Sequence, residues 1–184
     1  RISGSSAGVR IDGQNNIIGT NGDGRSDTHE CNSIFGNTDG IFLRGGYNTV
    51  AGNYIGLNAD GVAANSRNGI HIYGGSNNII GTNADGSGDE AERNIISGNE
   101  NDGIKIDLEA ADSNRIAGNY IGLDPSGTIA IANGENGVQI SKADKNIIGG
   151  TQEVQRNVIS GNTGQGITIA GTSVETCTST EVIG

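Results

Sequence analysis

The stretch Asn94-Ile95-Ile96-Ser97-Gly98-Asn99, followed by Asp102-Gly103-Ile104-Lys105-Ile106, decides the fold. Each apolar pair or alternation is too short for a helix, and each is bounded by Asn, Asp or Gly, so both read as brief strands ending in sharp corners. Both motifs return in fixed order. The second recurs as Gly8-Val9-Arg10-Ile11, Gly40-Ile41-Phe42-Leu43, Gly69-Ile70-His71-Ile72, Gly137-Val138-Gln139-Ile140 and Gly166-Ile167-Thr168-Ile169. The first recurs as Asn32-Ser33-Ile34, Asn53-Tyr54-Ile55, Asn119-Tyr120-Ile121 and Asn157-Val158-Ile159. Between them stands a third, Asn78-Ile79-Ile80-Gly81, with relatives beginning at Asn16, Asn48, Asn114 and Asn146 and a last one at Glu181-Val182-Ile183-Gly184. In chain order the three are strands a, b and c.

Asp-Gly and Asn-Gly ordinarily signal hairpins. Here those at 39–40, 68–69, 102–103 and 136–137 each lead directly into strand a, whose glycines are spaced by 32, 29, 34, 34 and 29 residues. A solenoid explains that pattern: each repeat is one coil, like strands stack on like, and three parallel sheets result. Period-two alternation turns Ile41/Leu43, Ile70/Ile72 and Ile104/Ile106 inward on sheet a. On sheet b the inward residues are Ile18, Val50, Ile80, Ile116, Ile148 and Ile183, and on sheet c Ile34, Ile55, Ile96, Ile121 and Ile159. Each Asn two residues before such a position lies on the inner side of a corner, where stacked amides can bond along the axis. Odd coils insert loops between b and c (20–31, 82–93, 150–156), and even coils insert them between c and a (57–68, 123–136). The unit is therefore a double coil with loops along two edges.

The composition agrees. Aromatics are 3% of 184 residues, Trp and Met are absent, and 33 glycines fall at the corners and in the loops. A net charge of −10 disfavours nucleic acid and anionic membrane surfaces. No apolar run reaches the roughly 18 residues of a membrane span, so no membrane insertion is expected. The chain starts at Arg1 within a strand c pattern and stops within strand b, which predicts a single β-helix domain over 1–184 cut from a longer one, with neighbouring coils or end-to-end self-association as its partners. Cys31 and Cys177 lie five coils apart, roughly 24 Å at one strand spacing per coil, too far for a disulfide.

The Asn-Ile-Ile-Ser-Gly-Asn … Asp-Gly-Ile-x-Ile repeat resembles the right-handed parallel β-helix repeat superfamily across essentially the whole chain. That resemblance implies an all-β fold of about five and a half coils. The superfamily holds pectate lyases, other polysaccharide lyases and hydrolases, phage tailspikes and large bacterial surface proteins. The Thr-Asn-x-Asp-Gly loops are similar to repeats of long bacterial extracellular proteins. No lyase catalytic motif transfers to any position.

Four sets of residues outside the core and the corners suggest chemistry. The outward columns of sheet a gather Phe42, Arg44, His71, Tyr73, Lys105 and Asp107, with Glu109 just beyond, on coils about 4.8 Å apart. Aromatic, basic and acidic groups on one face suit a polysaccharide or surface glycan; Lys105 or His71 would serve as a base for β-elimination, and Asp107 with Glu109 as paired carboxylates for hydrolysis. A solvated face with cross-strand charge pairing is the plainer account. The second set is the acids Asp23, Asp27 and Glu30, matched 62 residues later by Asp85, Asp89 and Glu92. Such carboxylates on Asp-Gly turns suggest a possible Ca²⁺ site; no cofactor is otherwise required. Thr28-His29-Glu30-Cys31 places a thiol near an imidazole, with no orienting partner. Tyr54 and Tyr120 face outward on sheet c, as sugar platforms or as ordinary surface.

The expected function is a structural or binding module of a bacterial extracellular or cell-surface protein. The alternative is the β-helix of a polysaccharide lyase or glycoside hydrolase. The acidic charge and the absence of a long irregular loop argue against an unaided polyanion site and a deep cleft.

Overall fold

A computed structural model describes residues 1–58, 60–171 and 180–184. It is an all-β solenoid of about five stacked coils with three parallel sheets. Sheet a stacks Ala7–Ile11, Asp39–Leu43, Ile70–Tyr73, Ile104–Asp107, Val138–Ser141 and Ile167–Ala170. Sheet b stacks Ile17–Gly19, Thr49–Ala51, Ile79–Gly81, Arg115–Ala117, Ile147–Gly149 and Glu181–Ile183. Sheet c stacks Ser33–Ile34, Tyr54–Ile55, Ile95–Ile96, Tyr120–Ile121 and Val158–Ile159. Among the described residues no helix is long and apolar enough to cross a membrane.

The core is one column of aliphatic side chains. Ile34, Ile41, Leu43, Val50, Ile55, Ile70, Ile72, Ile80, Ile96, Ile104, Ile106, Ile116 and Ile121 are wholly buried in a single cluster. Each contributes about 1.5–3 kcal/mol by leaving water. The register differs from the sequence reading at one place. Val182 pairs with Ile148, and Ile183 pairs with Gly149, so Val182 and not Ile183 stands in the inward column. The motif has slid by one because Thr180 occupies the corner where the other coils have Asn. Its hydroxyl and the Nδ2 of Asn146 are left without a partner.

The corners are tied along the axis. On the first, Asn16, Asn48, Asn78 and Asn114 each pass an Nδ2–H to the Oδ1 of the next, ending at Asn146, at 2.9–3.1 Å. On the second, Asn32, Asn53, Asn94 and Asn119 do the same, ending at Asn157, at 2.9–3.1 Å. A third ladder, unforeseen from the sequence, runs through Asn37, Asn65, Asn99, Asn133 and Asn162 at 2.8–3.2 Å. The fourth corner alternates acid and amide: Asn68 donates to Asp39 at 2.9 Å and Asn136 to Asp102 at 2.8 Å. Within the ladders each amide satisfies polar groups that the interior would otherwise leave unpaired, the condition under which buried polar groups are tolerated.

The two loop sets rise on either side of sheet c. Those of the odd coils enter the sheet, with short 3-10 turns at Asp27–His29 and Glu153–Gln155. Those of the even coils leave it, one as the hairpin Leu57–Asn58/Gly61–Val62 and one closed by the bridge Leu123–Ala130. Sheet c is thus the floor of a trough with loop walls.

Candidate functional site

The floor of that trough is one outward column in register: Ser33, Tyr54, Ile95, Tyr120 and Val158. A groove of about 490 Å³ opens beside Tyr54, lined by Ser33, Leu57, Asn58, Gly61, Pro125 and Ile131. Its size falls within the range of small-molecule sites, and its lining is mostly apolar with a few polar atoms. On the other side of Tyr54 lies a hollow of about 210 Å³ that includes Cys31, Glu90, Arg93 and Pro125. A further hollow of about 270 Å³ borders Tyr120, with Glu90, Arg93, Glu153 and Arg156 around it. The expectation that the short loops leave no deep cleft holds only in part: each loop is short, but alternation between two edges walls the same sheet twice.

Sheet a brings its predicted residues together in a different sense. His71 stands beside Phe42 on one strand and Lys105 on the other, and Tyr73 beside Asp107. The Phe42 and His71 rings meet edge to face at 5.1 Å, Tyr73 meets His71 at 5.5 Å, and Phe42 stacks on Tyr73 at 5.9 Å. His71 is only 5% exposed, and neither ring nitrogen has a hydrogen bond. Its Nδ1 lies 3.9 Å from the carboxylate of Asp39, too long for a hydrogen bond. Burial opposes ionisation of Asp39, yet the nearby His71 ring and the Asn68 amide hold its carboxyl below the usual value. A base buried under two rings has poor access to a polymer on the surface. Asp107 accepts a bond from the Leu108 amide at 3.0 Å, while Arg44 and Glu109 are exposed.

The two acid triads fold into superimposable networks within their own loops. Asp27 accepts from Thr20 Oγ1 and the Gly24 amide, as Asp89 does from Thr82 Oγ1 and the Gly86 amide, all at 3.0–3.1 Å. Glu30 accepts from the Asn21 amide and Glu92 from the Asn83 amide. Asp23 and Asp85 accept from the amides two residues on, Arg25 and Ser87, at 2.8 Å. These are Asx-type turns, and they account for the repeat of the acids at an offset of 62. Among the described residues no three His, Cys, Asp or Glu converge to hold a metal ion.

Glu92 is fully buried. Burial pushes its carboxyl up, reinforced by Asp89 and Asp85, against hydrogen bonds from Thr82 and Asn83 that favour the charge. Because the folded state then holds its proton more tightly than the unfolded state, stability falls as pH rises from about 4.3 through the folded value. Glu92→Gln keeps an acceptor for Asn83 and removes the buried charge. It should melt above the wild type at pH 7, with the difference vanishing near pH 4, in a series of thermal melts across pH.

Cys31 is an exposed free thiol whose Sγ donates to the Thr28 carbonyl at 3.6 Å. His29 meets Thr28 Oγ1 at 3.4 Å through Nδ1. Cys177 lies outside the described residues. The groove residues Leu57, Pro125 and Ile131, and Arg93 of the two hollows, escaped the sequence reading. Their signal was the Tyr-Ile-Gly-Leu motif at 54–57 and 120–123, which replaces Ile-Ile-Ser-Gly in even coils just where loops leave the sheet. Neither a family model nor a curated protein nor a solved structure matches the chain.

Proposed function

We propose that the protein is a non-catalytic β-solenoid module that presents a carbohydrate-binding groove on the outward face of sheet c, as part of a bacterial extracellular or cell-surface protein. The observation that carries this reading is the open groove of about 490 Å³ beside the exposed Tyr54 ring. An aromatic platform with apolar flanks (Leu57, Pro125, Ile131) suits the C–H face of a sugar, and Ser33 and Asn58 supply polar atoms for its hydroxyls. The net charge of −10 favours a neutral glycan over a polyanion. The repeats' resemblance to long bacterial extracellular proteins supports the location. The burial of His71 weighs against catalysis on sheet a.

A glycan array of neutral and acidic polysaccharide fragments tests the reading, followed by titration calorimetry with Tyr54→Ala. A bound neutral glycan should lose on the order of 2 kcal/mol in the variant, about 30-fold in affinity. A blank array, or binding indifferent to Tyr54→Ala, would sink it.

A further inference from the structure

Tyr54 and Tyr120 occupy the same column two coils apart, about 10 Å along the axis. Their rings have different surroundings. The Arg93 guanidinium lies 4.3 Å over the centre of the Tyr120 ring, steadied by donation from Nε to the Gly118 carbonyl at 3.1 Å. Gly127 also rides on that ring: a Cβ added there would come within 2.6 Å of Cε2 and 2.8 Å of Cζ. The Gly127 loop is held down by Asp124, which accepts from Ser126 Oγ at 2.7 Å and from the Thr128 and Ile129 amides at 3.0 and 2.9 Å. The Ile129 amide and the Ser126 hydroxyl, with lesser help from Thr128, draw its carboxyl down to about 2, so the clasp is charged across the neutral range.

One double coil earlier no element of this cover is present among the described residues. Cys31 stands where Arg93 does, 62 residues before it. Gly61 takes the place of Gly127 and has open space around its Cα. Asn58 replaces Asp124, and its Oδ1 takes one amide, that of Asp60. The loop closes over two residues fewer, with Leu57 bridging Val62 where Leu123 bridges Ala130. The groove beside Tyr54 is the room that the longer loop fills beside Tyr120.

We propose that Tyr120 is a second sugar-stacking platform, masked by Arg93 and the 123–131 loop, and that the face therefore offers a neutral β-1,4-linked glycan one open site and one closed site. This rests on the groove being a carbohydrate site. A β-1,4 glycan turns the same ring face outward at every second sugar, which suits two platforms two coils apart.

The test compares wild type, Arg93→Ser and Asp124→Ala by two measurements. Photo-CIDNP reports which tyrosine rings a dye can reach. Calorimetry compares the trioses and hexaoses of the cello and manno series. In the wild type Tyr54 should polarise and Tyr120 should not, and hexaose should bind no more than about two-fold tighter than triose. Either variant should make Tyr120 polarise and raise the hexaose-to-triose ratio to about ten-fold or more, as expected when a second linked contact is gained. Equal polarisation of both rings in the wild type would overturn the proposal without touching the Tyr54 site. So would variants that expose Tyr120 without changing the ratio, or an array that finds glycans other than these. A blank array would instead remove the carbohydrate reading on which it rests.

Discussion

Gly81→Ala is expected to destabilise the solenoid by on the order of 4 kcal/mol or more, and to break the stack between the third and fourth coils. Gly81 has φ +99, a region costly for any L side chain. A Cβ there would fall on the Ala117 carbonyl oxygen of the next coil and within 2.8 Å of the Asn119 amide. That carbonyl accepts from the Thr82 amide at 3.0 Å and from Asn119 Nδ2 at 3.1 Å. Relief requires the two coils to part, which leaves buried donors unpaired at about 1–3 kcal/mol each. Gly86 separates the two contributions. Its φ is +88 but a Cβ there meets nothing within 4 Å. Gly86→Ala should therefore cost only the conformational part, about 1–2 kcal/mol. Urea denaturation of the two variants reads the difference. Equal losses would show that the coil spacing is softer than the backbone packing implies.

Asn94→Ala is expected to cost about 2–3 kcal/mol, the penalty of leaving a buried backbone N–H unpaired. Asn94 is wholly buried in the middle of its ladder. It donates to Val50 O at 2.8 Å and Asn119 Oδ1 at 2.9 Å, and accepts from the Asn53 amide at 3.0 Å and Asn53 Nδ2 at 3.1 Å. Asn119 Oδ1 keeps the Asn94 backbone amide as a partner at 3.3 Å, and the Val50 carbonyl keeps its place in the parallel ladder with the next coil, so the group stranded by the truncation is the Asn53 backbone N–H. Asn16 opens the neighbouring ladder in an exposed position, and Asn16→Ala should cost under about 1 kcal/mol because water replaces the lost bonds. Comparable values for the two in chemical denaturation would mean that the ladder amides act through corner geometry and not through burial.

Much of this was legible in the residues. Strands, inward faces and two of the three Asn ladders follow from spacing, because a solenoid puts equivalent residues at equivalent places and leaves little choice to the rest of the chain. The third ladder escaped because none of its Asn stands two residues before an inward aliphatic: Asp39, Arg67, Asn101, Glu135 and Gly164 hold those places, so no strand motif marks the corner. The slid register of the last sheet b strand escaped for a related reason. Apolar Val182 and Ile183 both fit an inward site, and only the missing corner Asn decides between them.

The candidate sites divide in the same way. Which residues face outward was a matter of period two, and His71, Tyr54 and Tyr120 all do. Whether an outward residue is reachable was not. His71 is closed over by Phe42 and Tyr73, whose rings come from adjacent coils. Tyr120 is covered by Arg93 from the coil below and Gly127 from its own loop, while Tyr54 is left open. The sequence alone determines the coil, its core and its corners, because these depend on local alternation repeated at near-constant intervals. The tertiary structure alone decides exposure, because it depends on where side chains and loops from neighbouring coils come to rest, and those are the residues that do not repeat.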